Sequence, residues 1–413
     1  MESVTGDMPR PPRIDTLDGL RALAALAVML FHLWQQSWFD FNPKIAGWVI
    51  PLEYFPITGF MGVELFFFIS GFCLYYPYAR AVSLGEPWPS VRMFFFRRAI
   101  KILPSYLFAL GFAVLLLEPK SWPAQGIWHS LTHLTFIHNL FPETQMSLMT
   151  VFWTLAVEVQ FYLVFPAIAL AYRRWPWQVL ALSFSVGALY RFAALTYHST
   201  WFSSYSIWLP FYYHQLPSFI ELFVGGMAAS HLHVAHLRWD RTRLKRVYKI
   251  APVLFLSSVF ALNSLLYYLY ANQFGPNDLM SRLQMQNEGV LTVFLLGLVL
   301  TAPYAWRPLR FLLSNRVALF FSTISYNLYL WHHTVGLQLM RFGIPHPSTK
   351  DPHDDPVWKL RHLCFAIAGS IVLATLLTFL IERPILRWGA RYIRRRSNLM
   401  DEQTPKRPTQ DAA

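Results

Sequence analysis

Cysteine is nearly absent: the 413 residues contain two, Cys73 and Cys364, and both fall in apolar runs. That excludes a disulfide framework and a cysteine-built metal site, and it says nothing about compartment. Charge is scarce too, at 14% of residues against 55% hydrophobic and 17% aromatic. So little polar surface cannot clothe an ordinary water-soluble globule, so lipid must replace water over much of the chain. A short-period repeat is missing. No Gly-x-Ser-x-Gly elbow presents a serine nucleophile, so Ser70 and Ser325 read as packing or pore-lining residues. No soluble catalytic domain is expected after residue 386.

Long apolar runs are what the chain has in abundance. A bilayer core about 30 Å thick takes roughly 20 mostly apolar residues per helix. Ten such segments are expected, at 17–38, 57–78, 103–118, 151–172, 177–197, 214–233, 250–270, 288–305, 317–340 and 361–386. The expected fold class is all-α, a polytopic transmembrane helix bundle of about ten spans. Lys and Arg near span ends mark the cytoplasmic side. On one side fall Arg10 and Arg13, then Arg80, Arg92, Arg97, Arg98 and Lys101, then Arg173 and Arg174. The run from Arg238 to Lys249, the group Arg307, Arg310 and Arg316, and the group from Arg387 to Arg396 continue that side. The other side holds only scattered cations such as Lys44, Lys120, Arg282 and Lys350. Both termini are therefore expected in the cytoplasm.

The formal net charge of +13 is dispersed over these loops and forms no single patch, which argues against a nucleic-acid partner. No small-residue cleavage site follows Trp34, so the first span reads as a retained helix rather than a signal peptide. The organisation is a cytoplasmic tail at 1–16, a membrane domain at 17–386 and a basic, partly disordered cytoplasmic tail at 387–413. Nothing in the sequence fixes an oligomeric state.

An ionisable side chain in hydrocarbon costs on the order of 3 kcal/mol, so it normally faces the bundle interior or a wet cavity. Arg21 and His32 lie in the first span eleven residues apart. At 3.6 residues per turn that is three turns, about 16 Å along nearly one face. Snorkelling of the arginine and a histidine satisfied by a neighbouring helix are the plain alternatives. In the fourth span Thr154, Glu158 and Tyr162 form a polar stripe at spacings of four. In the ninth, Ser322, Ser325, Tyr329 and His332 share a face, with His333 beside it. Interhelical hydrogen bonding accounts for a serine but poorly for three separate ionisable sites. In the outer loop, His129 and His133 share a helical face near His138, but no carboxylate completes a metal set, and no metal is expected. Glu382 is expected to pair with its neighbour Arg383.

These residues stand in a recognisable order. LDGLRALAALAVMLFHL, containing Arg21 and His32, resembles the Arg-x10-His signature of the acyltransferase 3 family, multi-spanning enzymes that move acyl groups onto sugars, polysaccharides and related acceptors. GVELFFFISGF (62–72), RRAIKILP (97–104), WTLAVEVQFYLVFP (153–166), ISYNLYLWHH (324–333) and IERP (381–384) are similar to further blocks of that family, in the family's order. The basic block departs from the usual Arg-x-x-Arg: it reads Arg98-x-x-Lys101, which keeps charge but loses one planar fork.

The resemblance implies an acyltransferase domain at 17–386 whose co-substrate is acyl-CoA, acetyl-CoA by default, with no bound cofactor. It implies Arg97, Arg98 and Lys101 as the dock for the anionic nucleotide end. His32 becomes the expected general base on an acceptor hydroxyl, with a transient acyl-His32 as the less favoured variant. Arg21 holds a donor carbonyl or phosphate, or pairs with Glu158; Glu158 orients His32 or Arg21, and His332 is a second base or a pore-lining residue. Ser70, Tyr162, Ser325 and Tyr329 are expected along the pore. The acceptor is a hydroxylated glycan, glycolipid or glycosylated small molecule, met at the outer loops, and the setting a bacterial inner membrane. A proton-coupled transporter built on the same Arg, His and Glu is the alternative.

Overall fold

The computed structural model describes residues 14–117, 124–201, 209–275 and 279–403. Arg10, Arg13 and Lys120 of the charge pattern, and much of the two tails, lie outside the described residues. The long helices are α1 (Asp15–Ser37), α2 (Gly62–Leu84), α3 (Val91–Phe112), α4 (Phe152–Arg174), α5 (Pro176–Trp201), α6 (Leu216–His236), α7 (Arg241–Ala271), α8 (Leu279–Thr301), α9 (Arg316–Arg341), α10 (Pro356–Leu377) and α11 (Arg383–Gln403). A π-helical turn, Thr378–Glu382, joins α10 to α11 without a break. The only strands among the described residues are the two-residue antiparallel pair Lys44–Ile45 and Trp48–Val49.

Local chemistry sets the helix ends. Asp240, Asn315 and Asp355 precede α7, α9 and α10, and each side chain accepts a backbone N–H from the first turn. Gly85, at φ 74°, closes α2 in the left-handed conformation that glycine adopts without strain.

Eight segments among the described residues are long and apolar enough to cross a membrane: Asp15–Ser37, Gly59–Leu84, Val91–Leu116, Phe152–Arg174, Pro176–Tyr197, Lys245–Ala271, Leu279–Tyr304 and Pro356–Arg395. The two remaining expected spans correspond to α6 and α9, with 21 and 26 residues. Both are long enough at 1.5 Å per residue but more polar, because they pack inside the bundle. Ser218, Glu221 and Ser230 of α6, and Ser325, Asn327 and His332 of α9, are all buried. Helix α6 packs on α2, α5 and α8, and α9 on α1 and α10.

The α2–α6 contact is close. A Cβ on Gly71 would sit 2.0 Å from the Phe223 carbonyl oxygen, and one on Gly226 equally close to that of Phe68. Small residues bring the two backbones together here, as membrane helices require where dispersion drives packing. The rings of Phe67, Phe161, Phe219 and Phe223 fill the space beside this contact.

Helix α3 begins at Val91, twelve residues before the expected span at 103. The basic block is therefore helical rather than a loop. Three residues apart, Arg98 and Lys101 share a face, while Arg97 is turned about 100° from Arg98.

Candidate active site

A cavity of about 340 Å³ lies between α1, α2, α3, α4 and α9. Arg21 reaches it from α1, Arg98 and Lys101 from α3, and Glu158 from α4. Ser70, Tyr162, Ser325 and Tyr329 also line it. Arg97 is exposed and is not part of its wall.

Most charges in this cavity are individually held, Arg98 excepted. Glu158 Oε1 accepts hydrogen bonds from Ser70 Oγ at 2.8 Å and Tyr162 OH at 2.5 Å. Arg21 does not pair with Glu158: its Nη2 donates to Cys73 Sγ at 3.4 Å, and its Nη1 lies 3.9 Å from Asp18. Asp18 also accepts from Ser322 Oγ at 2.8 Å. Arg98 sits 5.9 Å from the centre of the Tyr162 ring, and its buried Nε has no hydrogen-bond partner among the described residues. Lys101 is paired with Glu382, which also accepts from Asn327 Nδ2 at 2.9 Å. This corrects the expected Glu382–Arg383 pair. The π-helical turn faces Glu382 inward to α3 and α9, while Arg383 stacks 4.2 Å from the centre of the Phe379 ring.

The histidines lie one side chain beyond the cavity. Tyr329 lines it, and the Tyr329 and His332 rings are 6.0 Å apart. His32 Nδ1 is 2.9 Å from His332 Nε2 and 3.1 Å from the Val28 carbonyl. The contacts fix the neutral tautomers. His332 Nδ1 lies 2.9 Å from the Leu328 carbonyl, which only accepts, so Nδ1 carries the hydrogen and Nε2 is bare. His32 Nδ1 must then supply the hydrogen shared by His332 Nε2 and the Val28 carbonyl. That leaves His32 Nε2 with its lone pair uncommitted, the atom a general base needs. The His333 ring stands 4.9 Å from that of His32.

Among the described residues, no group of three or more His, Cys, Asp or Glu is placed to hold a metal ion. His133 and His138 stack instead, 3.9 Å apart and nearly parallel.

The sequence profile described as "Acyltransferase domain" matches residues 14–383. The chain belongs to this acyltransferase 3 family. Among its relatives is "Acyltransferase MdmB" of Streptomyces mycarofaciens, 32% identical over 38% of this chain and 40% of that protein. "Peptidoglycan O-acetyltransferase OatA" of Listeria monocytogenes is 24% identical over 91% of this chain and 56% of its own length. "Nodulation protein 10" of Rhizobium leguminosarum bv. viciae is 25% identical over 92% and 96% respectively. The matches thus span about half of the first two relatives or less. No solved structure matches the chain.

Inside the family domain lies a second buried polar group that sequence reasoning missed. Tyr213 OH is 3.1 Å from Glu64 Oε1 and 2.6 Å from Glu288 Oε2, and Gln284 Nε2 donates to Glu64 Oε1 at 2.6 Å. Nearby, Arg191 pairs with Glu221 at 2.5 Å and donates to the Ser218 carbonyl at 2.6 Å. One phenolic hydrogen faces two carboxyl groups, so both contacts are hydrogen bonds only when a carboxyl carries a second proton. The short segment Leu209–Tyr213, buried throughout, places Tyr213 there. Tyr190, Gln145 and Gln215 donate to its carbonyls, which satisfies backbone that leaves the regular helices. A signal was present, since Glu64, Arg191 and Glu221 stand in predicted spans, where the argument applied to Glu158 holds equally.

Proposed function

We propose that the protein is a membrane O-acyltransferase that moves an acyl group, acetyl by default, from acyl-CoA to a hydroxyl of a glycan, glycolipid or glycosylated small molecule. The observation that carries this reading is the cavity with Arg21, Arg98 and Lys101 in its wall, set against a histidine whose Nε2 has no hydrogen-bond partner among the described residues. A volume of about 340 Å³ suits a pantetheine arm and its thioester better than a whole nucleotide. The phosphates would rest on Arg98, whose Nε has no hydrogen-bond partner among the described residues, with Arg21 beside the arm. Lys101, already neutralised by Glu382, contributes less than its charge suggests.

In this mechanism the acceptor oxygen attacks the thioester carbonyl, the C–O bond forms and the C–S bond breaks. His32 Nε2 takes the hydroxyl proton and returns it to the departing thiolate, so the step is balanced without an external base. His332 holds His32 in the required tautomer and does not itself meet substrate. Glu158, fixed by Ser70 and Tyr162, is a positioning carboxylate on the wall. For the acyl end to reach His32, the rings of Tyr329 and Phe66, which meet edge to face at 5.7 Å, must part. The name of the Listeria relative supports acetyl as the group and a glycan as the acceptor class. The bacterial relatives support a bacterial membrane setting, and the Lys and Arg residues gathered at alternate span ends support both termini in the cytoplasm.

The test is mass spectrometry of surface glycans and small glycosides from cells given isotope-labelled acetate and expressing wild type, His32→Ala or Arg21→Ala at equal membrane levels. A labelled ester seen only with wild type is expected. Esters formed equally by all three would remove both residues from the site, and no ester from well-expressed wild type would set aside acyl transfer.

A further inference from the structure

A second cavity, of about 400 Å³, lies between α6, α7 and the end of α8, built from residues the acyl-transfer site does not use. Its walls are apolar: Ile250 and Leu254 of α7 face Leu300 of α8. Ile250 and Leu254 are 55% and 50% exposed, so the cavity opens sideways, where lipid stands in a membrane. Such walls give water few partners. One end is different: His236 and Tyr304 are hydrogen-bonded to each other there, and Arg246 completes the rim. Between His236 and Ile250 the chain carries Arg238, Arg241, Arg243, Lys245, Arg246 and Lys249 against a single acid, Asp240. That acid is engaged, because it caps α7 through the Arg243 N–H and lies 3.9 Å from the Arg243 side chain.

A slot open to hydrocarbon, with a cationic and hydrogen-bonding rim, matches an amphiphile with one negative head. We infer that this cavity binds an anionic phospholipid, one acyl chain lying along Ile250, Leu254 and Leu300 and the headgroup phosphate on Arg246 and the His236–Tyr304 pair. The charge pattern selects an anionic over a zwitterionic head, since each basic side chain near such a lipid adds a preference of roughly fivefold. The site touches α6, which packs closely on α2 at Gly71 and Gly226, so its occupant buttresses the helix that carries Ser70.

The experiment uses the full chain, purified in detergent and stripped of lipid. Phosphatidylglycerol or phosphatidylcholine of identical chains is added, and retained lipid is read by native mass spectrometry and the Tm by thermal unfolding. Preferential retention of one phosphatidylglycerol, with a higher Tm, is expected. Arg246→Gln should lower that preference roughly fivefold, and Leu254→Trp, which enlarges an exposed wall residue, should weaken retention of both lipids. Arg391→Gln, at an exposed cation of α11, should change neither. Equal retention of the two lipids by wild type, or a loss in Arg391→Gln as large as in Arg246→Gln, would overturn the assignment.

Discussion

His32 Nδ1 and His332 Nε2 are 2.9 Å apart although 300 residues separate them in sequence. Because His332 Nδ1 is committed to the Leu328 carbonyl, this contact decides which nitrogen of His32 is free. A partner acting through His32 has a distinct signature. His332→Leu should lower kcat by roughly 10- to 100-fold, by analogy with the loss of a partner that orients a metal-bound histidine, with KM for the acyl donor unchanged. His332→Gln, whose amide oxygen also accepts, should recover part of that loss. His32→Ala should cost 10²- to 10⁴-fold with no such rescue. Equal activity of His332→Leu and wild type in a labelled-acetate assay would show that the tautomer is set otherwise.

The Lys101–Glu382 pair makes a prediction about stability. Glu382 is buried, whereas the Lys101 side chain is 38% exposed, so removing the acid strands a cation that water reaches only in part. Glu382→Leu should destabilise the protein by about 1–3 kcal/mol, less than the roughly 3–5 kcal/mol of a fully buried pair because water reaches part of Lys101. Lys101→Met with Glu382→Leu should restore much of the loss, because no unpaired charge remains. A double-mutant cycle of thermal unfolding in detergent measures the coupling. Additive losses would mean that the two side chains act independently.

The contrast between these two pairs shows what a sequence exposes. Arg21, Glu158 and the stripe Ser322, Ser325 and Tyr329 were legible because polar groups in hydrocarbon must turn inward, and helical spacing says which share a face. They do meet in one cavity. Partnership across helices was not legible. Spacing suggested Arg383 for Glu382, yet the partner is Lys101, 281 positions away, reached because a π-helical turn redirects the carboxylate. Glu288 escaped notice for a different reason. The expected eighth span began at that residue, which made it an end group, whereas α8 begins at Leu279 and carries Glu288 inside the core. The short buried segment Leu209–Tyr213 is likewise too brief to give a periodic signal.

The Glu64–Tyr213–Glu288 trio needs one proton beyond the phenolic one. Glu288→Gln should therefore fold and keep near-wild-type thermal stability, because a neutral amide has the shape of a protonated carboxyl. Tyr213→Phe should be worse, by about 1–3 kcal/mol, because it leaves buried carboxyl oxygens without their donor. Infrared spectroscopy gives a direct check: the C=O stretch of a protonated carboxyl should be present in wild type and lost in the Glu64→Gln, Glu288→Gln double variant. An unchanged band would place that proton elsewhere.

The stacked His133–His138 pair, outside the eight candidate spans, should make stability fall in acid. Burial is the main cause that pushes both below the ordinary imidazole value, His133 to about 4 and His138 to about 3, and the neighbouring ring adds to the effect at His138. The unfolded chain takes up protons near pH 6.5, while the folded chain resists until those lower values. The stabilisation is thus complete above pH 6.5 and is lost as pH falls below it, at up to about 1.4 kcal/mol per pH unit for each ring, levelling off once the folded pair itself protonates. His138→Phe keeps a flat ring over His133 but has no proton to bind. Its thermal unfolding between pH 7 and pH 4 should therefore depend less steeply on pH than that of wild type, by about one proton. Parallel pH profiles would mean that the acid sensitivity arises from other groups.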